Sequence, residues 1–332
     1  MMKAIVLEEN GLILKEVELP KLQSGQAMIK ISAAALNRRD QWIREGLYPK
    51  IQLPVILGSD ACGTVVKVQD DIDSHWIGKR IVINPNIDWG ENNKIQSKDY
   101  LILGMPTNGT LAEYIVVPID RLQEAPNHLN DESSAALPLA GLTAYNALIN
   151  KGELNAHKKV LISGVGGGVA QFAFQFSLAL GAPTWVTSSK EEVINQCMKF
   201  GAQGGVNYQN PEEIKSLSKS IQGFDIIIDG AGGDGLNTLM GSLASGGKLV
   251  LYGATKGLPK TLNLRNIFGN QLSLIGNTMG SDQDFEKMLE FVNQHKIHPI
   301  IDKIYPLEKS IDAFDRMKDG LGFGKIVIKI GD

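Results

Sequence analysis

The sequence predicts an α/β protein with a doubly wound parallel sheet and a separate β-rich unit, and three observations carry that reading. Up to about Ala125 the chain reads as short strands punctuated by Gly and Pro: Ala4 to Leu7, Ala27 to Ser32, Gly63 to Val68, Arg80 to Ile83 and Tyr114 to Val117. Beyond it, apolar runs at Val160 to Ser163, Trp185 to Thr187, Asp225 to Ile228, Leu249 to Tyr252 and Leu272 to Ile275 alternate with helical stretches. Such alternation implies βαβ units and a parallel sheet covered on both faces. Third, a glycine-rich turn, Gly164 to Gly168, joins the first of these later strands to a helix, Gln171 to Leu180, that stops at Gly181.

A chain of 332 residues suits two domains. Hydrophobic residues at 43% and charged residues at 21% are globular values, sufficient for a core in each. A formal net charge of -3, with no run of Lys or Arg beyond two, supplies no basic face for phosphate backbones, so nucleic acid is excluded as a partner. Cys62 and Cys197 build neither a disulfide framework nor a Cys-rich zinc site, as a reducing compartment permits. The first twenty residues lack a signal peptide's apolar core and no apolar run reaches a membrane span, so the expectation is a cytoplasmic protein without a membrane partner. The segment Pro85 to Pro106, rich in Asn, Asp and Gly, reads as an unusually long surface loop. A last amphipathic helix (Phe285, Met288, Leu289, Phe291, Val292), a helix near Ile311 to Met317 and a strand Lys325 to Ile330 close the chain.

The glycine turn is what a dinucleotide diphosphate requires, because glycines admit the phosphates to the backbone and the helix N-terminus presents free N–H groups. Its spacing is not a strict G-x-G-x-x-G; the better register is Gly164, Gly167 and Ala170, with Gly166, Gly168 and Val169 completing the turn. At the end of the second strand, where an NAD site places a carboxylate for the ribose hydroxyl, stand Ser188, Ser189 and Lys190. Hydroxyls and an ammonium favour a 2′-phosphate, hence NADP(H). Equally, Lys190 could simply solvate the start of the next helix. Tyr208, after the third strand, is a further candidate beside that phosphate.

Motifs spread along the whole chain resemble the medium-chain dehydrogenase/reductase superfamily, in particular its zinc-free, quinone-oxidoreductase-like branch. They are Ala35 to Asp40, Gly46 to Pro49, Pro54 to Val65, Asn108 to Tyr114, Leu137 to Tyr145, the glycine turn, Asp225 to Asp229 and Phe323 to Lys325. The resemblance implies a GroES-like catalytic domain (residues 1–125, completed by 279–332) around a Rossmann NADP-binding domain (126–278), with the active site in the cleft and a homodimer formed through the sixth strand. Where zinc-dependent relatives place ligands, this chain has Asn37, Ser59 and Leu139, and the loop expected to hold four structural-zinc cysteines has none, so no metal is expected.

Without a Lewis acid, alcohol oxidation is hard, whereas hydride donation to a quinone or α,β-unsaturated carbonyl needs only hydrogen-bond donors for the developing enolate. The resemblance assigns Asn37 and Tyr48 to catalysis and Thr143 to the nicotinamide side, while both also have structural readings as a turn residue and a half-buried aromatic. It places Gly253 and Ala254 beside the adenosine half, Asn277 near the nicotinamide, and Phe323 and Lys325 in a late cofactor contact. Asp40 would orient neighbours, and Arg38 and Arg39 could either draw in an anionic substrate or be solvated. The expected activity is NADPH-dependent reduction of quinones or enals. The alternatives are a zinc-type alcohol dehydrogenase and a nucleotide-binding sensor without turnover.

Overall fold

The computed structural model describes residues 1–331. They form two compact units, one comprising Met1–Leu142 and the chain from Gly280, the other Thr143–Met279. The first contains β1 (Met2–Glu8), β2 (Gly11–Val17), β3 (Gln26–Ala35), β4 (Val55–Ile56), β5 (Asp60–Val68), β6 (Arg80–Ile83), β7 (Asn86–Ile87), β8 (Leu101–Ile102), β9 (Tyr114–Pro118) and β10 (Leu122–Glu124). The second contains β11 (Val160–Ile162), β12 (Thr184–Ser188), β13 (Gly204–Asn207), β14 (Phe224–Asp229), β15 (Leu243–Leu251) and β16 (Ser273–Gly276). The chain then returns to the first unit for β17 (Ile301–Pro306) and β18 (Lys325–Lys329).

In the first unit a seven-stranded sheet runs β10-β6-β5-β3-β18-β17, with β9 also on β3, beside a smaller β2-β1-β4 sheet. The chain's end is therefore an interior strand, next to the edge strand β17: Val327 to Lys329 of β18 pair with Ala33 to Ala35 of β3. Ala33, Ala34 and Ala35 are all fully buried, so this part of β3 is covered on both faces and only small side chains fit. A second tie between chain start and chain end is the Asp282 carboxylate, which accepts hydrogen bonds from Asn84 Nδ2, Asn86 Nδ2 and both terminal nitrogens of Arg121.

The second unit has one all-parallel sheet in the order β13-β12-β11-β14-β15-β16, with the reversal of direction between β11 and β14. That is the doubly wound dinucleotide-binding order, whose ligands lie outside the carboxyl ends of the strands at the reversal. The helix Gly168–Ala179 after β11 is apolar nearly all round, with Phe172, Phe174 and Phe176 fully buried, as befits a helix enclosed in a core.

The fold class read from the sequence is the one observed, with differences of extent. The first boundary falls after Leu142, not Ala125, because residues 126–142 are fastened to the β-rich unit: Arg80 donates to Asp131, the Leu129 carbonyl and Ser134, and the Leu139 N–H donates to Asp60. β2 and β17 escaped the sequence reading because their exposed faces carry apolar residues (Ile13, Leu14, Ile304) that blur the alternation. The segment 85–106 is more ordered than its composition suggests. Trp89 is buried and meets Tyr100 edge-on at 5.0 Å between ring centroids, and Ser97 bonds the Trp89 and Asp88 carbonyls. Among the described residues no helix is long and apolar enough to cross a membrane.

Both cysteines are fully buried, and burial pushes each thiol up to about 12. Below that pKa the neutral thiol dominates, leaving on the order of one thiolate in ten thousand at pH 8. Iodoacetamide at pH 8 should therefore leave Cys62 and Cys197 unmodified by mass spectrometry in native protein and modify both in urea; rapid native labelling would contradict the burial.

Candidate active site

Within the first unit the chemistry gathers on one carboxylate. Asn37 precedes the helix Arg38–Arg44, and its backbone N–H donates to Asp40 Oδ2 at 2.8 Å. Its side chain turns elsewhere, with Nδ2 donating to Asp60 Oδ2 at 2.8 Å and Oδ1 accepting from Lys325 Nζ at 2.6 Å. Lys325 Nζ also donates to Asp60 Oδ2 at 3.0 Å, and the Leu139 N–H donates to Asp60 Oδ1 at 2.8 Å. Asn37, Asp60 and Lys325 are 6%, 0% and 2% exposed, so none of these bonds competes with bulk water. The amide orientation of Asn37 is overdetermined: an ammonium only donates and a carboxylate only accepts, so both neighbours demand the same assignment.

A second buried pair flanks the first. Arg39 Nη1 donates to Ser59 Oγ and the Leu103 carbonyl, both at 2.9 Å, and Ser59 Oγ donates to that carbonyl at 2.7 Å. Asp40 lies 4.0 Å from Arg39 Nη1, and burial raises its carboxyl above the ordinary range against the opposing pull of Arg39. The cluster thus holds two formal cations, Arg39 and Lys325, against two formal anions, Asp40 and Asp60. Tyr48 is half-buried with the Arg39 guanidinium 5.1 Å from its ring centroid, a cation–π contact. The chain reaches Ser59 through Gly58 at φ +97°, and a Cβ on Gly104 or Gly109 would collide with the Gly58 carbonyl. The strand entry at β5 is held by that close backbone crossing.

In the second unit, the turn after β11 places Gly164 at φ +62° with open space where a Cβ would stand. Its N–H donates to Thr187 Oγ1 at 3.0 Å, anchoring the turn to β12. Gly167 caps the helix Gly168–Ala179, and Ala170 is fully buried at the close-packing position. At the end of β12, Ser188 Oγ accepts the Lys190 N–H at 3.1 Å, and the Tyr208 N–H donates to the Ser188 carbonyl at 3.3 Å. Tyr208 is 39% exposed. Asn277 Nδ2 donates to the Thr143 carbonyl at 3.1 Å, while the buried Asn277 Oδ1 has no partner among the described residues. The Asn277 N–H donates to Leu251 at the end of β15, next to Gly253 and Ala254.

Gly164, Gly166, Gly167, Gly168, Val169, Ser188, Ser189, Lys190, Tyr208, Gly253, Ala254 and Asn277 lie in the second unit, at the carboxyl ends of its strands, in the turns beyond them or in the first turn of the helix Gly168–Ala179, whereas Thr143, the first residue of that unit, lies in the helix Pro138–Tyr145. Asn37, Tyr48, Phe323 and Lys325 lie in the first. The Lys325 ammonium is buried on Asn37 and Asp60. Arg39 is structural and Arg38 exposed, which separates two residues the sequence reading took together. Asp60, Arg39 and Thr187 were missed as organisers. A charged residue at the mouth of the apolar run Asp60 to Val65 was the available signal for Asp60.

Comparison with known proteins fits this geometry. Residues 23–127 match the model of the alcohol dehydrogenase GroES-like domain, and residues 168–294 that of the zinc-binding dehydrogenase. A zinc-type alcohol dehydrogenase-like protein of Leptosphaeria maculans is 33% identical over 96% of this chain and 94% of its own. The chain belongs to the medium-chain dehydrogenase/reductase superfamily. A crystal structure of an NAD-dependent alcohol dehydrogenase superposes with a TM-score of 0.93 at 31% identity, over 99% of this chain and 100% of that one. The mouse quinone oxidoreductase is 28% identical over 94% of this chain and 92% of its own. As a member of the superfamily the protein is an oxidoreductase that uses a pyridine nucleotide.

The superfamily's two resident groups fit this member unequally. A pyridine nucleotide fits: the glycine turn is open, helix N–H groups face its mouth, and Asn277 Oδ1 is a buried acceptor without a partner. Zinc does not fit the positions its relatives would use. Leu139 offers no donor atom, Ser59 Oγ is engaged by Arg39 and Leu103, and both amide atoms of Asn37 are engaged by Asp60 and an ammonium. Among the described residues no group of three or more His, Cys, Asp or Glu could hold a metal ion.

A bulky residue at Gly164 should block the turn while leaving the fold. A β-branched residue at φ +62° costs about 1–2 kcal/mol in the backbone and fills the space a diphosphate needs. Gly164→Val should weaken nucleotide binding in calorimetry at least about tenfold with a shift of only a few degrees in Tm; unchanged affinity would place the diphosphate elsewhere.

Proposed function

We propose that this superfamily member is an NADPH-dependent reductase of quinones or α,β-unsaturated carbonyl compounds that works without zinc. The observation that carries the reading is the buried Asn37–Asp60–Lys325 arrangement, which supplies hydrogen-bond donors where a metal-dependent alcohol dehydrogenase needs ligands. The resemblance to the mouse quinone oxidoreductase over nearly the whole chain supports it.

A bound reduced nicotinamide supplies the hydride. For an enal, that hydride would add to the β-carbon, the π pair would move to the carbonyl oxygen as an enolate, and the α-carbon would then take a proton from solvent water. Asn37 has two amide N–H groups, one of them on Asp60, which leaves one to meet the developing oxyanion. Tyr48 provides the second donor, its ring held by the Arg39 guanidinium. No step demands an alkoxide from an unactivated alcohol, the step for which a Lewis acid matters most.

The preference for the phosphorylated cofactor rests on Ser188, Ser189 and Lys190, two hydroxyls and an ammonium with no carboxylate at the end of β12. A 2′-phosphate there gains charge-assisted hydrogen bonds that a ribose hydroxyl cannot make. Replacing Lys190 with Ala and Ser189 with Asp should raise KM for NADPH about tenfold or more and leave or improve that for NADH. Equal KM shifts for the two cofactors would remove this segment from recognition.

The central test is oxidation of NADPH, followed by ultraviolet absorbance after exhaustive chelation, against a quinone, a 2-enal and an aldehyde, with alcohol oxidation run in reverse. Turnover of the quinone or enal that survives chelation is expected. Turnover confined to the alcohol and lost on chelation would overturn the proposal, and tight NADPH binding without turnover would point to a sensor.

We also infer a homodimer formed through the open edge of β16. Among the described residues that strand has a partner on one side only, and Leu258, Leu264 and Phe268 on the adjoining segment are 86%, 65% and 72% exposed. Phe268→Glu should convert a dimeric mass in light scattering to a monomeric one; a monomeric wild type would sink the inference.

A further inference from the structure

The segment 85–106, long and polar in sequence, gives main-chain carbonyls to Arg39 and Ser59, but several of its side chains are turned to a different space. Ile87, Asp88, Trp89 and Leu103 line a cavity of about 750 Å³. Further lining comes from the small sheet, with Val6 of β1, Val17 of β2 and Ile56 of β4. Val6 and Ile56 belong to one hydrophobic cluster and Leu103 to another, so the recess lies where the two meet. All of its lining is in the first unit, and Asn37, Tyr48, Ser59, Asp60 and Lys325 are not part of it. A space of this size matches a small-molecule site, whereas voids left by packing rarely exceed a water molecule.

The charge around this cavity is unbalanced. Its lining holds two cations, Lys15 and Arg121, against four carboxylates, Glu18, Asp88, Asp120 and Asp282. Both cations are already engaged: Lys15 donates to Glu8, and Arg121 donates to Asp120 and Asp282. Glu18 and Asp88 are exposed, which puts them on the solvent side, and neither has an ion-pair partner among the described residues. Asp88 stands at φ +55°, with its carbonyl bonded by Ser97 Oγ, so its carboxylate projects from a backbone that the folded segment fixes. Trp89 and Tyr114 add aromatic surface, to which ammonium groups are attracted.

We propose that this cavity binds a lipophilic ammonium compound, with its apolar body against Val6, Val17, Ile56 and Trp89 and its cationic nitrogen at Glu18 and Asp88. An anion entering the same space meets carboxylates and no unengaged cation. A neutral apolar molecule gains the burial but nothing from the two carboxylates. Charges beside an apolar wall attract a cation more strongly than the same charges surrounded by water. The site needs neither the glycine turn nor hydride transfer, so it stands whether or not the protein reduces quinones or enals.

Three probes that share one apolar body separate these cases: phenylbutylamine, phenylbutanol and phenylbutanoate. In calorimetry on the full chain at low ionic strength, the amine should bind at least about tenfold tighter than the alcohol, and the acid weakest of the three. Asp88→Asn/Glu18→Gln keeps the shape of the cavity and removes both charges. It should weaken the amine at least about tenfold, keep the alcohol within about twofold and leave NADPH affinity unchanged, because the glycine turn lies in the other unit. The amine should raise the Tm of the wild type and, at the same concentration, that of the double variant much less. Val116→Trp, at a half-buried lining position on β9, should abolish binding of both amine and alcohol. Should that variant fail to fold, the double variant still decides, since its two positions are exposed. Equal affinities for amine and alcohol would make the cavity a site for neutral apolar molecules and overturn the proposal. An amine affinity untouched by the double variant, or no binding at about 10 mM amine, would overturn it as well.

Discussion

The constraint on which the catalytic unit depends is that the Asp60 carboxylate, once buried, must be fully satisfied. A carboxylate removed from water without partners costs several kcal/mol, and breaking a buried pair by removing one member costs about 3–5 kcal/mol. Satisfying Asp60 draws in the turn at Asn37, the backbone at Leu139 and the head of β18. Each comes from a different part of the chain, so the carboxylate pins the end of the chain, the approach to the second unit and the first helix to one point of β5. The glycine crossing at Gly58, Gly104 and Gly109 serves the same end by letting the backbone before Asp60 lie against the neighbouring loop.

The second unit answers a different constraint, and the contrast explains why its site was the easier one to read from sequence. A diphosphate is bound by backbone N–H groups, so its site must announce itself through glycines at fixed distances from a strand and a helix. Gly164, Gly167 and Ala170 do so even with an irregular spacing. Ser188 to Lys190 could be singled out as candidates for the same reason, since they sit at a fixed place at the end of the second strand. Thr187 was not, because a threonine inside an apolar strand reads as β-propensity, and its hydroxyl acts on Gly164 only once β12 lies beside the turn.

The cluster around Asp60 was legible only in part. Asn37, Asp60 and Lys325 each fall in motifs that carry the resemblance, but that the latter two hold the Asn37 amide was not legible, because they are 23 and 288 positions away in sequence. A lysine before an apolar strand is ordinarily a solvated strand end, and local pattern could not show that β18 enters the middle of a sheet. Arg39 misled for a related reason: two adjacent arginines look alike, yet helix geometry turns Arg38 outward and sends Arg39 to the carbonyls of residues 102, 103 and 105. Composition likewise read the segment 85–106 as loop, because the Trp89–Tyr100 pair that orders it is a small share of its residues.

These features bear on how buried charges of both signs share one site in this fold. A divalent ion among buried acidic groups is a charge as well as a Lewis acid, and its removal leaves the acids uncompensated unless the charge is replaced. Changing ligand residues one at a time therefore creates an unbalanced core at every intermediate step. In this chain the balance is kept by Lys325 and Arg39 against Asp60 and Asp40, and the amide of Asn37 is held between the members of the first pair.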